Sequence, residues 1–156
     1  VLERVRNLVS AEISGKGINL AYDYDPSIPS IVADAEQLIQ AMLNIVRNAM
    51  QSLSSPDIDH KLGEIILRSR IVRNVTIGTK FYRLAATIEV IDNGPGIPAD
   101  MIDAIFYPMI SGRPDGTGLG LPITHGIIHQ HSGLIECESK PGTTKFTVSI
   151  PIGKSN

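Results

Sequence analysis

One face of a predicted helix carries an unusual set of side-chain amides. Five Asn and Gln residues recur at spacings of three or four positions, which places them on one side of an α-helix: Gln37, Gln40, Asn44, Asn48 and Gln51. Asn is a poor helix former, so two of them four positions apart in a helix interior require a reason. Two interpretations are open: a chance polar stripe, or amide oxygens that bind a hard cation such as phosphate-bound Mg²⁺.

An acidic residue and a glycine-rich turn follow a strand-like segment later in the chain. Asp92-Asn93-Gly94-Pro95-Gly96 comes directly after the apolar run 84–91. Taken alone, such a run is most often only a turn. A carboxylate in this place could also accept a hydrogen bond from an exocyclic amine such as N6 of adenine. The glycines would let a flat ring approach the backbone closely.

A third segment, Gly116-Thr117-Gly118-Leu119-Gly120-Leu121, opens a predicted helix. A glycine-rich helix start presents unpaired N–H groups and the positive end of the helix dipole, which favour phosphate groups. The chain has no GxxxxGK[ST] motif, so this segment is not a P-loop. Its glycines follow a long loop with GxGxG spacing, which disfavours a dinucleotide fold. On its own, the segment predicts a phosphate site only weakly.

These segments need elements that hold them in place, and the hydrophobic pattern predicts a mixture of helices and hairpins. Helices are predicted at 1–13, 34–53, 99–106 and 117–131, and strands at 18–24, 64–73, 81–91, 134–139 and 144–150. Because hairpins dominate, we expect an α+β fold. It should be a two-layer α/β sandwich whose mixed, mostly antiparallel sheet is covered by helices on one face. The turn-rich stretch 107–117 is typical of an active-site lid or of a disordered segment.

The composition limits the classes of partner. The 156 residues carry a formal net charge of −2, which argues against non-specific binding to nucleic acid or anionic membranes. No apolar run approaches 18 residues, so we expect no direct membrane contact. Cys137 is the only cysteine, which excludes an intrachain disulfide and favours a cytoplasmic setting. We expect its thiol to be buried and unreactive.

Taken in order, the segments resemble the N, G1, F and G2 boxes of the histidine-kinase catalytic domain. That domain belongs to the gyrase/chaperone/histidine-kinase ATP-binding superfamily. Leu43 to Ala49 matches the N box, Asp92 to Pro98 the G1 box and Phe106-Tyr107-Pro108 the F box. The resemblance extends from about Gly17 to Ile152 and implies a Bergerat-type ATP pocket between the sheet and the lid.

The resemblance also implies roles for the matched residues. Asn48, with Asn44, would be catalytic and hold Mg²⁺ and the phosphates, with Asn48 as the metal ligand. Asp92 would bind the adenine amine. The other expected nucleotide contacts are Arg47, Gly94, Gly96, Ile97, Phe106, Arg113, Gly116, Thr117, Gly118, Leu119, Gly120 and Leu121. Gln51 stands where many relatives have a basic residue, so either Arg47 or Arg113 could supply a cation to the phosphates.

Position 44 helps to separate the chemistries of the superfamily. Its hydrolases and related serine kinases typically have a Glu four residues before the magnesium-binding Asn, as a general base. Here that residue is Asn44, which cannot accept a proton near neutral pH. A neutral imidazole is already nucleophilic, so a histidine kinase needs such a base less. We expect phosphoryl transfer from ATP to histidine; ATP hydrolysis, serine kinase activity and nucleotide-free docking are the alternatives.

The acceptor histidine is expected elsewhere. None of the four histidines lies in a His-Glu-x-x-Asn/Arg-Pro motif, so we expect ordinary surface residues: His60, His125, His129 and His131. Residues 1–15 would then be the end of a connecting helix from a missing dimerisation and phosphoacceptor domain. Residues 16–153 would be the catalytic ATP-binding domain.

A finer similarity is to nitrogen-regulation sensor kinases of the NtrB type. It is carried by the segments 23–27, 106–113 and 129–133, and by the Gly78-containing loop with Phe81 to Ala86. The similarity implies a response regulator as a partner, in addition to the chain's own upstream dimerisation domain. It allows a PII signal protein as a further partner. The fragment would be a monomer and the full protein a homodimer.

Overall fold

The computed structural model describes residues 1–13, 16–54, 63–106 and 120–153. In chain order the elements are α1 (Leu2–Ile13), β1 (Ile18–Asp23), α2 (Ala35–Leu53), β2 (Gly63–Ile77), β3 (Lys80–Asp92), α3 (Ala99–Ile102), α4 (Gly120–Gln130), β4 (Leu134–Lys140) and β5 (Thr143–Ile152). The described strands form one sheet in the order β1-β2-β3-β5-β4. β1 is parallel to β2, and the other neighbours are antiparallel. The predicted α+β fold with a mixed sheet is confirmed.

α2 is the centre of the hydrophobic core. It begins after Asp34, whose carboxylate accepts a hydrogen bond from the Gln37 N–H at 3.1 Å, as its capping pattern predicted. Its buried side chains are Leu38, Ile39, Ala41, Met42, Leu43, Ile45, Val46, Ala49 and Met50. This set is wider than the predicted stripe, because α1 and α4 pack beside α2 while the sheet lies beneath it. Each buried Leu, Ile or Met stabilises the fold by about 1.5–3 kcal/mol.

The two faces of the sheet differ in character. On the helix-covered face, strand pairing places Leu67, Val90 and Phe146 in one row, each at most 1% exposed. On the other face, Lys145 Nζ lies 3.4 Å from a Glu89 carboxylate oxygen and 3.3 Å from one of Glu138. Ion pairs that water can reach in this way contribute little to stability. The apolar row therefore fixes which face α2 covers.

The hairpin of β2 and β3 is longer than predicted. The expected loop from Asn74 to Lys80 is wrong, because pairing continues to Ile77 and Lys80 and leaves a two-residue turn. Gly78 has a φ of +65°, which a turn of this length requires and glycine adopts without strain. Polar residues near the tip hid the strand pattern. A small second apolar cluster around Ile77 and Tyr82 supports this end.

α1 packs onto the same core as the rest of the chain. Val5 and Val9 are fully buried, and a Glu12 carboxylate accepts a hydrogen bond from Arg47 at 3.0 Å. The Arg6 guanidinium lies 4.1 Å from the centroid of the Tyr22 ring. That α1 continues a helix from a preceding domain stays a prediction.

Within the described ranges, no helix combines the length and apolarity needed to cross a membrane.

The turn that ends α4 leaves no room for a side chain at Gly133. The Gly133 N–H donates to the Ile128 carbonyl at 2.9 Å. A Cβ at this position would lie 2.4 Å from the backbone oxygen of Ser149 on β5. Gly126, in the middle of α4, would meet nothing within 4 Å. A side chain is therefore excluded by contact with β5 at Gly133, whereas nothing excludes one at Gly126.

The two glycines should respond oppositely to alanine. Gly133→Ala should lower the free energy of unfolding by about 1–3 kcal/mol, because the added methyl group overpacks a backbone contact. Gly126→Ala should raise it by about 0.5–1 kcal/mol, because glycine is unfavourable inside a helix. Urea denaturation followed by circular dichroism measures both. A Gly133→Ala chain as stable as the wild type would contradict this packing of α4 on β5.

Candidate functional site

A carboxylate is buried at the end of β3. Asp92 is 2% exposed, and its Oδ1 accepts a hydrogen bond from the Gly94 N–H at 3.0 Å. Strand pairing places it between Ile65 of β2 and Thr144 of β5. A buried charge is costly unless it is hydrogen-bonded, and such groups are concentrated in functional sites. Asp92 is therefore the strongest candidate for binding a ligand.

Gly94 joins this carboxylate to α2. A Cβ at Gly94 would lie 2.8 Å from Ser52 Oγ and 2.9 Å from Asp92 Oδ1. Ser52 is buried on α2, one turn after Asn48. The amide-bearing part of α2 and the turn after β3 are therefore neighbours, and any side chain at position 94 would separate them.

The turn after Asp92 is held by the β4–β5 hairpin. The Ile97 N–H donates to Ser139 Oγ at 2.7 Å, and Ser139 Oγ lies 2.8 Å from Thr144 Oγ1. Gly96 has a φ of +89°, and a Cβ there would lie 2.5 Å from the Lys140 backbone oxygen. The sequence reasoning missed Ser139 and Thr144. Only the strand pairing reveals that buried Thr144 lies opposite Asp92.

Asn44 connects α2 to the first residue of α4. Its Nδ2 donates to the Gly120 carbonyl at 3.3 Å, and its Oδ1 accepts a hydrogen bond from Gln40 at 3.0 Å. Thr124, which is fully buried, donates to the same Gly120 carbonyl at 2.8 Å. The structure thus brings the amide face of α2 to the helix start that was predicted to bind phosphate.

The other predicted residues lie in different places: some pack against the core, one lies toward α1, and several are outside the described residues. Phe106 packs edge-on against Phe146 of the core, with ring centroids 6.3 Å apart, and Leu121 packs against the core as well. Asn48 is partly buried on α2. Arg47 lies toward α1, where it pairs with Glu12. The remaining predicted contacts lie outside the described residues: Arg113, Gly116, Thr117, Gly118 and Leu119.

Cys137 lies in the sheet close to Asp92. It pairs with Phe146, and it is partly buried. Burial, together with the negative charges of Asp92 and Glu138, raises the pKa of the Cys137 thiol to about 12. A thiol with this pKa is almost entirely protonated near neutral pH, and only the thiolate reacts readily. This agrees with the expected unreactive cysteine.

Residues 33–154 match the family described as histidine kinase-, DNA gyrase B- and HSP90-like ATPase. The chain belongs to this family of ATP-binding domains. Among individual proteins, it is 52% identical over 152 residues to the sensory histidine kinase/phosphatase NtrB of Vibrio alginolyticus. That match covers 97% of this chain and 42% of the relative, so the chain spans less than half of the relative's length.

Solved structures of histidine kinases share the fold. The nucleotide-free catalytic domain of histidine kinase ThkA has a TM-score of 0.76 and 26% identity, and the match covers 96% of this chain and 90% of that one. Histidine kinase ThkA in complex with the response regulator protein TrrA has a TM-score of 0.74 and 24% identity. That match covers 97% of this chain and 39% of that one. The resemblance inferred from the sequence is confirmed.

The pKa of Cys137 predicts slow alkylation of the folded chain. At pH 8 an unfolded thiol is partly ionised, so iodoacetamide should react with the folded chain about a thousandfold more slowly than with the urea-unfolded chain. Asp92→Asn should accelerate the reaction of the folded chain, because it removes a negative charge that raises this pKa. Glu36→Gln, in the first turn of α2, is the matched control. Equal rates for folded and unfolded chains would contradict the assignment.

Proposed function

We propose that this chain is the ATP-binding catalytic domain of a nitrogen-regulation sensor histidine kinase. It would transfer the γ-phosphate of ATP to a histidine on a separate dimerisation domain. The observation that carries the proposal is the buried Asp92 carboxylate beside Gly94, which has no room for a side chain between Asp92 and Ser52. The family match and the similarity to NtrB support the same conclusion.

Asp92 is suited to recognise adenine rather than guanine. A carboxylate accepts hydrogen bonds and does not donate them, so it favours the exocyclic amine of adenine over a ring carbonyl. The hydroxyl of Thr144, on the next strand, can both donate and accept, and thus complements a ring nitrogen. The turn with Gly94, Gly96 and Ile97 is fixed on the β4–β5 hairpin, so its backbone is already in place before a base binds.

The phosphates would lie between α2 and the start of α4. The amide oxygen of Asn48 is a ligand type that Mg²⁺ accepts, and the remaining ligands would come from phosphate oxygens and water. When bound, Mg²⁺ would neutralise charge on the phosphates. N–H groups at the start of α4 would bind the phosphates. Either Arg113 or Arg47 would supply a positive charge to the phosphates. Arg47 is paired with Glu12 of α1 in this structure.

The chemistry at position 44 favours transfer to histidine over hydrolysis. In this structure the Asn44 amide is hydrogen-bonded to Gln40 and to the Gly120 carbonyl, so it serves as a link between two helices. An amide cannot act as a general base near neutral pH. Activation of water therefore has no candidate at this position, whereas a neutral imidazole needs none.

The partners follow from the same assignment. We propose residues 16–153 as the catalytic domain and residues 1–15 as the end of the connecting helix from the chain's own His-bearing dimerisation domain. The ThkA complex with a response regulator protein supports a response regulator as the protein that finally receives the phosphoryl group. We also propose a PII signal protein as a further partner. The full protein would be a homodimer and would lie in the cytoplasm.

Asp92→Asn tests the base-recognition half of the site. We expect it to weaken ATP binding by about 1–3 kcal/mol, which is the scale of a lost hydrogen bond to a charged group. The affinity for inosine triphosphate should fall less than the affinity for ATP, or should rise, because the Asn amide can donate a hydrogen bond to the carbonyl of that base. Isothermal titration calorimetry measures both ligands, with exposed Asp100→Asn as the control. Unchanged ATP affinity would reject Asp92 as the base-reading residue.

Phosphotransfer in trans tests the activity. The chain, labelled ATP and Mg²⁺ are mixed with a separately produced His-bearing dimerisation domain of an NtrB-type kinase. We expect acid-labile, base-stable label on that domain and none on this chain. Asn48→Ala should reduce the transfer by about a hundredfold or more, because the metal-bound phosphates lose a positioning ligand. Release of inorganic phosphate at the same rate without the acceptor domain would favour hydrolysis instead.

A further inference from the structure

The side chain of His131 connects the ends of two helices. Its Nδ1 lies 2.8 Å from the Ile127 carbonyl oxygen of α4, and its Nε2 lies 3.1 Å from the Asp34 backbone nitrogen at the start of α2. A carbonyl only accepts and a backbone N–H only donates, so these two contacts require a neutral ring with its proton on Nδ1. His131 is therefore a specific link rather than a solvated surface residue.

This link is one of three polar attachments between α2 and α4 in the part of the chain that the structure describes, and one of the others is the hydrogen bond from Thr124 to the Ala41 carbonyl at 3.5 Å. At the other end of α4, the Gly120 carbonyl accepts hydrogen bonds from Asn44 and Thr124. Between the two ends, Ile128 is buried in the core. Because α2 and α4 run in opposite directions, the end of α4 is attached at the start of α2, and the start of α4 is attached at the middle of α2. α4 cannot slide along α2 or turn about its axis without breaking one of these attachments.

We infer that His131 is a positioning residue for the phosphate half of the site. By fixing the far end of α4, it holds Gly120 against Asn44 and thus sets where the N–H groups of the helix start point. This inference rests on the proposed function. α4 is about 16 Å long and behaves as a rigid element, so a tilt at His131 displaces Gly120.

The inference separates two kinds of ligand contact. Asp92 and Thr144 are held by strand pairing and Gly94 lies against Ser52 of α2, so we expect their positions not to follow the angle of α4. Loss of the His131 link should therefore weaken binding of the phosphates and leave recognition of the base intact. If His131 had only a general structural role, its loss would weaken the binding of nucleotides and of adenosine equally, in proportion to the fraction of unfolded chain. If the chain stayed folded, the loss would weaken neither.

The test compares ATP, ADP and adenosine on three variants. His131→Ala removes both hydrogen bonds. His131→Gln keeps one donor and one acceptor in the side chain. His129→Ala changes an exposed residue of the same helix and is the matched control. Calorimetry is used for the nucleotides and NMR titration for adenosine. Thermal unfolding identifies a temperature at which every variant is folded.

We expect His131→Ala to weaken ATP and ADP binding about three- to tenfold, because the lost link acts on the phosphates only through the position of α4; this loss equals the net contribution of about one hydrogen bond. Adenosine should bind as it does to the wild type. His131→Gln should recover most of the affinity, and His129→Ala should bind all three ligands normally. The ¹⁵N spectrum of the wild-type His131 ring should show the Nδ1–H tautomer.

Unchanged nucleotide affinity in folded His131→Ala, or an equal loss for adenosine and ATP, would overturn the inference and leave the proposed function intact. A wild-type chain that binds neither adenosine nor ATP would instead reject the proposed function, and the inference with it. A ring protonated on Nε2 would also overturn the inference, because that tautomer cannot accept a hydrogen bond from Asp34.

Discussion

The candidate site depends on keeping one carboxylate buried at the end of a strand. Asp92 is buried, and burial of an unpaired charge is unfavourable; the hydrogen bond from the Gly94 N–H offsets part of that free energy. Its surroundings follow from this demand. Position 94 has no side chain, Ser52 is small where α2 passes, and Thr144 supplies a hydroxyl on the neighbouring strand. The antiparallel pairing of β3 with β5 is what brings residues so distant in sequence beside the carboxylate.

The second half of the site is formed by helices and obeys different rules. α2 buries apolar side chains toward the sheet, α1 and α4, which leaves only a narrow polar strip. Along this strip, amides are useful because one group can donate and accept at the same time. Asn44 does both, toward Gly120 and Gln40. The sheet half is thus held by backbone pairing, whereas the helix half is held by apolar packing together with a few side-chain hydrogen bonds.

Features that depend on nearby residues were predictable, and those that depend on distant pairing were not. The cap at Asp34 and the order of helices and strands follow from local pattern. The tip of the β2–β3 hairpin was missed because polar residues there interrupt the alternation, and Asn74 adopts a positive φ. Thr144 joins the site only through strand register. His131 was taken for a surface residue, since its partner lies 97 positions away.

Asn44 affects both the packing of α4 on α2 and the chemistry that is available at this position. In the related hydrolases a Glu at the corresponding position would take a proton from water. Here the residue must donate a hydrogen bond to the Gly120 carbonyl, and an ionised carboxylate has no proton to donate. A Glu at this position would set a negative charge against that carbonyl and remove one attachment of α4. The same amide that links α2 to α4 leaves position 44 without a general base, so this arrangement of helices is suited to an acceptor that is nucleophilic without one.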